Sequence, residues 1–302
     1  MASTDVASTA TASTDTAVPA PATERPALIR RILPMTLLMI GAIGFLFPFY
    51  YMIVGALQET RDPSIRGAVP WPSNLTLTNF TDINDSINLG RSLLNSGIFT
   101  GAVVLCTLFF GVLAGYALAT LSFRGRGLLF AVVLLLQAVP FQLLMVPLYV
   151  LLVRGFGLGD TYVGMILPFA INSVAVLIFR QFFLQVPREL FDAARIDGAG
   201  EFRILRSIAV PLVRPAILTA ALVTFIGPWN EFLWPFLITK QQELQPLAVA
   251  VANFTQTGAA FHDNPFGAIL AGSTVLAVPA VVLFIVFQRH FTATDASTGV
   301  KG

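Results

Sequence analysis

The chain has 302 residues, of which 56% are hydrophobic and 11% charged, with a mean hydropathy of +0.78. That apolar share exceeds what a soluble domain buries, so lipid must solvate much of the surface; a net charge of +2 is too small to point to nucleic acid. The single cysteine, Cys106, excludes an intramolecular disulfide and a multi-cysteine metal site, leaving packing as its role.

The expected fold class is all-α integral membrane. A span needs about 20 apolar residues to cross a hydrocarbon core roughly 30 Å thick. Helices satisfy their own backbone, and the alternation of a lipid-facing barrel strand is absent. In chain order, residues 1–30 form a tail rich in Ala, Ser, Thr and Pro, with no signal-peptide core, expected to be disordered. Six apolar runs follow, at 33–57, 95–121, 128–153, 161–183, 216–238 and 266–288, each expected to be a helix. They make one six-helix domain over 31–290, closed by a short tail at 291–302. The first run is too long for a signal sequence and stays a span.

Two connecting segments are long. Residues 58–94 carry Pro63, Gly67, Pro70, Trp71 and Pro72, a turn-rich stretch that leads through LTLTNF into the second span. Residues 239–265 are rich in amides, with Gln241, Gln242, Gln245, Asn253 and Gln256, followed by His262, Asp263 and Asn264. Such groups hydrogen-bond hydroxyls, and they serve equally well in a solvated connector. With the N-terminus inside, 13 of the 18 basic residues fall on the cytoplasmic side, which places both termini in the cytoplasm and these two loops outside.

Within the spans the only acidic residue is Glu231, set among Trp229, Asn230 and Trp234. An intramembrane charge lines a pathway or pairs inside the bundle. Gln137, Gln142, Asn172 and Asn230 are further candidates for the pathway, with helix-to-helix hydrogen bonds as the alternative. Pro140, Pro147, Pro168, Pro228 and Pro235 are expected to kink these helices. No soluble domain and no internal repeat is visible. One six-helix unit is small for a gated pathway, so a second copy or a related chain is expected.

Residues 189–211, ELFDAARIDGAGEFRILRSIAVP, concentrate charge between apolar runs: ten charged side chains lie from Arg180 to Arg214. Pro187 suits the start of a helix, and Glu189 and Asp192 stand near its positive dipole end. Gly198 ends that helix, and a second begins at Glu201, carries Phe202, Leu205 and Ile208 at helical spacing, and stops before Pro211. Small Ala193 and Ala194 permit close approach by a partner. An amphipathic hairpin lying on anionic lipid would not carry Glu189, Asp192, Asp197 and Glu201. A protein groove fits that mixture better.

The segment resembles the EAA loop of ABC importer permeases, here spanning 185–214: Asp192, Ala193, Ala194, Gly198, Ile208, Val210 and Pro211 stand at the pattern positions, with Asp in place of Glu and Val in place of Leu. The rest of the chain is similar to the carbohydrate-uptake branch, and within it to the second permease of maltose-type transporters. The landmarks are AGYALATLSFRGRG ending at Gly127, GLGDTYVGMILP from Gly157, ARIDGA from Ala194, PWNEFLWP from Pro228 and the terminal GVKG. Residues 292–297 depart from the family pattern.

The resemblance implies a type I importer permease fold in the bacterial inner membrane. Its partners would be a second permease, two ATPase subunits, an extracytoplasmic substrate-binding protein and a sugar. The permease itself would have no catalytic residues and hold no metal or cofactor, with ATP and Mg on the ATPase; accordingly, no G-x-x-x-x-G-K-[ST] run occurs. Glu189, Asp192, Ala193, Ala194, Asp197, Gly198, Ile208 and Pro211 would form the coupling element. Residues Gln256, His262, Asp263 and Asn264 would reach the binding protein. A glycerophosphodiester permease is the alternative within the family. A secondary carrier would want more than the lone Glu231, and an enzyme would want partners for His262 and His290.

Overall fold

In the computed structural model the described residues are 25–60, 69–258 and 262–296. Residues 1–24, residues 61–68 with Pro63 and Gly67, and the terminal GVKG lie outside them. Among the described residues the chain is helical, apart from an isolated antiparallel bridge between Gln58 and Leu75. Two compact units part between Phe49 and Tyr50. The first contains the N-terminal part of α1 (Arg25–Leu57), apolar on every face from Met35 to Phe49.

The second unit continues with α2 (Thr78–Ile87), α3 (Leu89–Thr120), α4 (Arg126–Ala138) and α5 (Phe141–Tyr149), the last prolonged by a π-turn at Val150–Gly155. Then come α6 (Tyr162–Ile166) with a 3-10 turn at Leu167–Phe169, and α7 (Ser173–Gln185). The charged segment forms α8 (Arg188–Ile196), α9 (Glu201–Ile204), a π-turn at Leu205–Ala209 and α10 (Val210–Leu212). α11 (Arg214–Asn230), α12 (Leu233–Ile238), α13 (Leu247–Asn253) and α14 (Pro265–Ala296) complete the chain.

The six apolar runs do not give six straight helices. Three are continuous and long enough to cross a membrane, Pro34–Leu57, Leu89–Thr120 and Pro265–Gln288. The third run folds as Arg126–Ala138 and Phe141–Gly155, set at 93°. Pro140 causes the break: it has no N–H to donate and holds an extended ψ of 128°. The fourth run is Tyr162–Phe169 and Ser173–Gln185, bent by 49° after Pro168. The fifth run stops at Asn230, turns through extended Glu231, and restarts as α12. Glu201–Leu212 meets α11 at 78°. Because it carries Glu201, Arg203 and Arg206, we place it outside the hydrocarbon.

Both long connections contain helices that turn signals alone did not show. α2 occupies the second half of 58–94, burying Asn79, Ile83 and Ile87. Asn88, in the left-handed region, joins α2 to α3 and accepts from the N–H of Arg91. In 239–265 the stretch LAVAVAN forms α13 and buries Leu247, Val249, Ala250 and Val251. Only seven residues long and apolar on most faces, it has no amphipathic period to betray it.

α3 is the post of this unit. One cluster packs Tyr116 and Ala119 of α3 against Phe179 and Phe183 of α7, with Phe191, Ile204, Leu205, Ala209 and Val213 of the charged segment. A second gathers Phe99 and Val103 of α3 with Met145, Met165, Trp234 and Ile238, and a third joins α2, α13 and α14 through Ile83, Leu247, Phe254 and Ala271. Gly111 and Gly115, one turn apart, bring α3 close to α7: a Cβ on Gly115 would lie 2.6 Å from Cβ of Phe179 and 2.9 Å from the backbone N of Arg180. Gly115→Val is expected to lower stability by about 1–3 kcal/mol through overpacking. Gly101→Ala, where a Cβ meets nothing within 4 Å, should be neutral or slightly stabilising. Thermal unfolding of the two purified variants in one detergent checks the contrast.

Candidate coupling segment and polar cleft

α8 follows Pro187 and ends in a Schellman turn. The N–H of Gly198 donates to Arg195 O (3.0 Å) and that of Ala199 to Ala194 O (2.9 Å), with Gly198 at φ +80°. Glu189, Asp192, Ala193, Asp197 and Gly198 are exposed, as is Pro211, while Ile208 is half-buried. Ala194 differs from its neighbour. It is buried with Phe191 against α3 and α7, so of the two alanines only Ala193 is at the surface.

The second helix departs from the spacing read in the sequence. Phe202, expected beside Leu205 and Ile208, is 73% exposed, whereas Ile204, Leu205, Ala209 and Val213 face the core. The π-turn at Leu205–Ala209 adds a residue to the turn and rotates the apolar face, and the helix then runs through Pro211 to Leu212 rather than stopping before it. Ile196 is 87% exposed beside the Schellman turn, an apolar surface residue that helical spacing gave no reason to single out. Together Ile196, Phe202 and Leu190 give the charged segment an apolar outer face.

A clamp ties this segment to the spans. Arg195 donates through Nη1 to Asp192 (2.8 Å) and through Nε to Glu201 (2.7 Å), and the hydroxyl of Tyr116 on α3 donates to the other oxygen of Glu201 (2.7 Å). The Tyr116 ring sits edge-on against Phe183 and Phe191. Arg195 first, then the Tyr116 hydroxyl, hold the Glu201 carboxyl below its usual range against the opposing effect of burial.

The pathway candidates separate into two groups. Asn172 and Glu231 line one cleft of about 220 Å³ with Val103, Phe169, Thr224 and Pro228. Each is also a cap at a helix break: Asn172 Oδ1 accepts from the N–H groups of Val174 and Ala175, and Glu231 Oε1 from that of Trp234 (3.2 Å). Asn230 is exposed, with its amide on Ile226 O, and Gln137 is exposed on α4; neither lines this cleft.

In the other connection Gln256 and Asp263 are exposed. Asn264 is a strap: its amide donates to Gln58 O (3.0 Å) and Glu59 O (3.2 Å), while its Oδ1 accepts from Gly267 N–H. His262 Nε2 lies 3.1 Å from Ser86 Oγ, with its ring edge-on to Phe254. Asn95, fully buried, donates to Glu243 O and Gln245 O and accepts from Tyr162. In this connection Asn264 therefore ties distant backbone together rather than standing free.

Residues 107–294 match the family of binding-protein-dependent transport system inner membrane components. The chain belongs to that family. It is 36% identical over 259 residues to the arabinooligosaccharides transport system permease protein AraQ of Halalkalibacterium halodurans, covering 85% of this chain and 91% of that one. Against the trehalose transport system permease protein SugB of Mycobacterium tuberculosis it is 35% identical, over 85% and 93% of the two chains. The sn-glycerol-3-phosphate transport system permease protein UgpE of Agrobacterium fabrum is 28% identical, over 87% and 95%. In fold it is similar to a chain of a bacterial ABC transporter involved in the import of the acidic polysaccharide alginate, with a TM-score of 0.77, 23% identity, and 90% and 100% of the chains covered. The chain is thus a multi-pass inner-membrane permease with the type I importer fold.

The clamp has a pH signature. Because the folded-state carboxyl of Glu201 is held low, its contribution is present above the ordinary value of 4.5 and is lost as pH falls through the lowered one. Protection from hydrogen exchange across 188–204, taken against the intrinsic rate at each pH, is expected to fall in acid below that range. In Glu201→Gln it should already be lower at neutral pH, by the equivalent of about 1 kcal/mol or less for such an exposed pair, and should not fall further in acid.

Proposed function

We propose that the chain is one of two permease subunits of an ATP-driven importer for a carbohydrate, and that it receives the ATPase stroke through α8. The observation that carries this reading is the outer face of α8 and its Schellman turn, Asp192 to Gly198, fastened to α3 through Arg195, Glu201 and Tyr116. Glu189, Asp192, Ala193, Asp197 and Gly198 form its outward surface, with Ile196 and Phe202 as apolar contacts. Ala194 and Ile208 act from beneath, seating the element, and Pro211 marks its junction with α11. ATP and Mg belong to the ATPase partners, and both termini lie on the side where the basic residues gather.

The names of AraQ and SugB support an oligosaccharide or disaccharide cargo. UgpE supports sn-glycerol-3-phosphate as the second reading. ATP-dependent uptake into vesicles of the assembled complex, with labelled solutes of both classes, decides between them. In the pathway Asn172 and Glu231 face the solute together. Gln256 and Asp263 meet the binding protein outside, with His262 and Asn264 anchoring that loop.

Within the chain a Cβ on Gly198 meets no atom within 4 Å, so a side chain there disturbs the partner rather than this protein's own packing. Asn tolerates the left-handed backbone. Gly198→Asn is therefore expected to leave thermal stability within about 1 kcal/mol of the parent while reducing ATPase association or transport-coupled ATP hydrolysis at least tenfold. Unchanged uptake and unchanged ATPase stimulation would refute the docking assignment. Shortening 256–263 is expected to reduce binding-protein-stimulated uptake without loss of the assembled complex, measured as uptake per complex.

A further inference from the structure

Where α3 ends, α4 begins and α7 passes into α8, a cleft of about 300 Å³ is lined by Thr120, Ser122, Arg126, Leu184 and Arg188. Asp192 and Arg195 also line it but are already paired with each other at 2.8 Å. The two remaining arginines have no carboxylate partner, since both ion pairs among the described residues belong to Arg195. Arg126 Nη1 donates to Leu121 O at 3.0 Å, which orients the side chain without neutralising it.

Both arginines stand at the first position of a helix, α4 and α8, where neither Gly125 nor Pro187 supplies a capping side chain. A cation there adds to the positive end of the peptide dipole, an arrangement that favours a bound anion. A separate observation points the same way. One turn deeper along the α4–α7 seam, the Arg180 guanidinium lies 4.0 Å from the ring centroid of Phe130, and its Nε is buried without an acceptor. Arg180 with Leu184, and Phe130 with Arg126, are four residues apart and share a face of their helices. On the side of α4 next to Arg126, exposed Leu129 and Leu136 offer apolar surface along which acyl chains can lie.

We propose that this cleft binds the phosphate of an anionic phospholipid headgroup. Arg126 and Arg188 hold its charge, the Ser122 hydroxyl donates to it, and Arg180 meets the ester oxygens one turn deeper. Basic pockets between helices at the headgroup level bind such lipids, each Lys or Arg contributing on the order of 1 kcal/mol. A soluble phosphate would use the arginines but not the leucines of α4. The site sits at span ends and shares its α8 wall with the docking element.

The test uses the full chain purified with its partner subunits and equilibrated with equal amounts of phosphatidylglycerol and phosphatidylcholine. Lipid retained after detergent washing is counted by native mass spectrometry. Retention of phosphatidylglycerol over phosphatidylcholine is expected. It should fall roughly tenfold or more in Arg126→Gln with Arg188→Gln. The corresponding double Lys variant should recover it, and Arg124→Gln, outside the cleft, should be unaffected. Arg188 is exposed, so Arg188→Gln alone carries the test should the double variant not assemble. Equal retention by parent and Gln variants overturns the proposal. So does displacement of the lipid by millimolar inorganic phosphate, which assigns the site to free phosphate. Retention that disappears when the ATPase subunits are stripped away also overturns it, assigning the arginines to a protein contact.

Discussion

In a chain solvated largely by lipid, every departure from the helix has to replace the backbone hydrogen bonds it gives up, because the hydrocarbon offers none. Several breaks in this protein meet that constraint with a side chain. After Pro168 the chain restarts at Asn172, whose side chain takes up two N–H groups of α7. At the end of α11 the carboxylate of Glu231 does the same for Trp234, and Asn88 does so between α2 and α3. The residues that looked most like pathway polar groups are thus also the ones that make bent spans possible. The two roles are compatible: a cap spends one oxygen and leaves the rest of the group to the cleft it borders.

The same constraint explains why the long connections are dense. Asn79, Asn95 and Asn264 each satisfy backbone carbonyls of distant segments, and Asn79 and Asn95 are buried. An amide can donate two bonds and accept at its oxygen without carrying charge, so it ties irregular backbone together at lower desolvation cost than an ion pair. The charged residues are spent elsewhere, where solvent is near, on the clamp of Arg195 with Asp192 and Glu201.

Composition and the length of the apolar runs were enough to read an all-α membrane fold, and the spacing from Asp192 through Gly198 to Pro211 was enough to find the charged element and its glycine stop. What the sequence concealed was geometry of a particular kind. α13 has too few residues for a period, and α2 hides behind turn residues. The π-turn at Leu205–Ala209 moves Phe202 to the surface without altering residue spacing along the chain. Prolines announced that helices would bend, but not that Pro140 produces a turn near a right angle while Pro147 and Pro279 stay inside helices. For the site, the pairing of Asn172 with Glu231 depended on how two bent spans cross, whereas Ala193 and Ala194 looked equivalent until burial separated them.

The arrangement also bears on how force travels. α8 is joined to α3 by a charged clamp outside and by Phe191 against Tyr116 and Phe183 inside, and α3 is held to α7 at glycine contacts too close for sliding. A displacement of α8 therefore moves α3 and α7 with it as one body, because packed interfaces shift between discrete arrangements rather than deform. The compliant places are the breaks at Val139–Pro140 and at Glu231–Phe232, where no continuous helix resists bending. Glu231 and Asn172 lie at such junctions, one at the end of α11 and the other at the start of α7. If α8 takes the ATPase stroke as proposed, movement delivered through α7 changes the separation of these two polar groups first, and the cleft they line is where that push would become a change of shape.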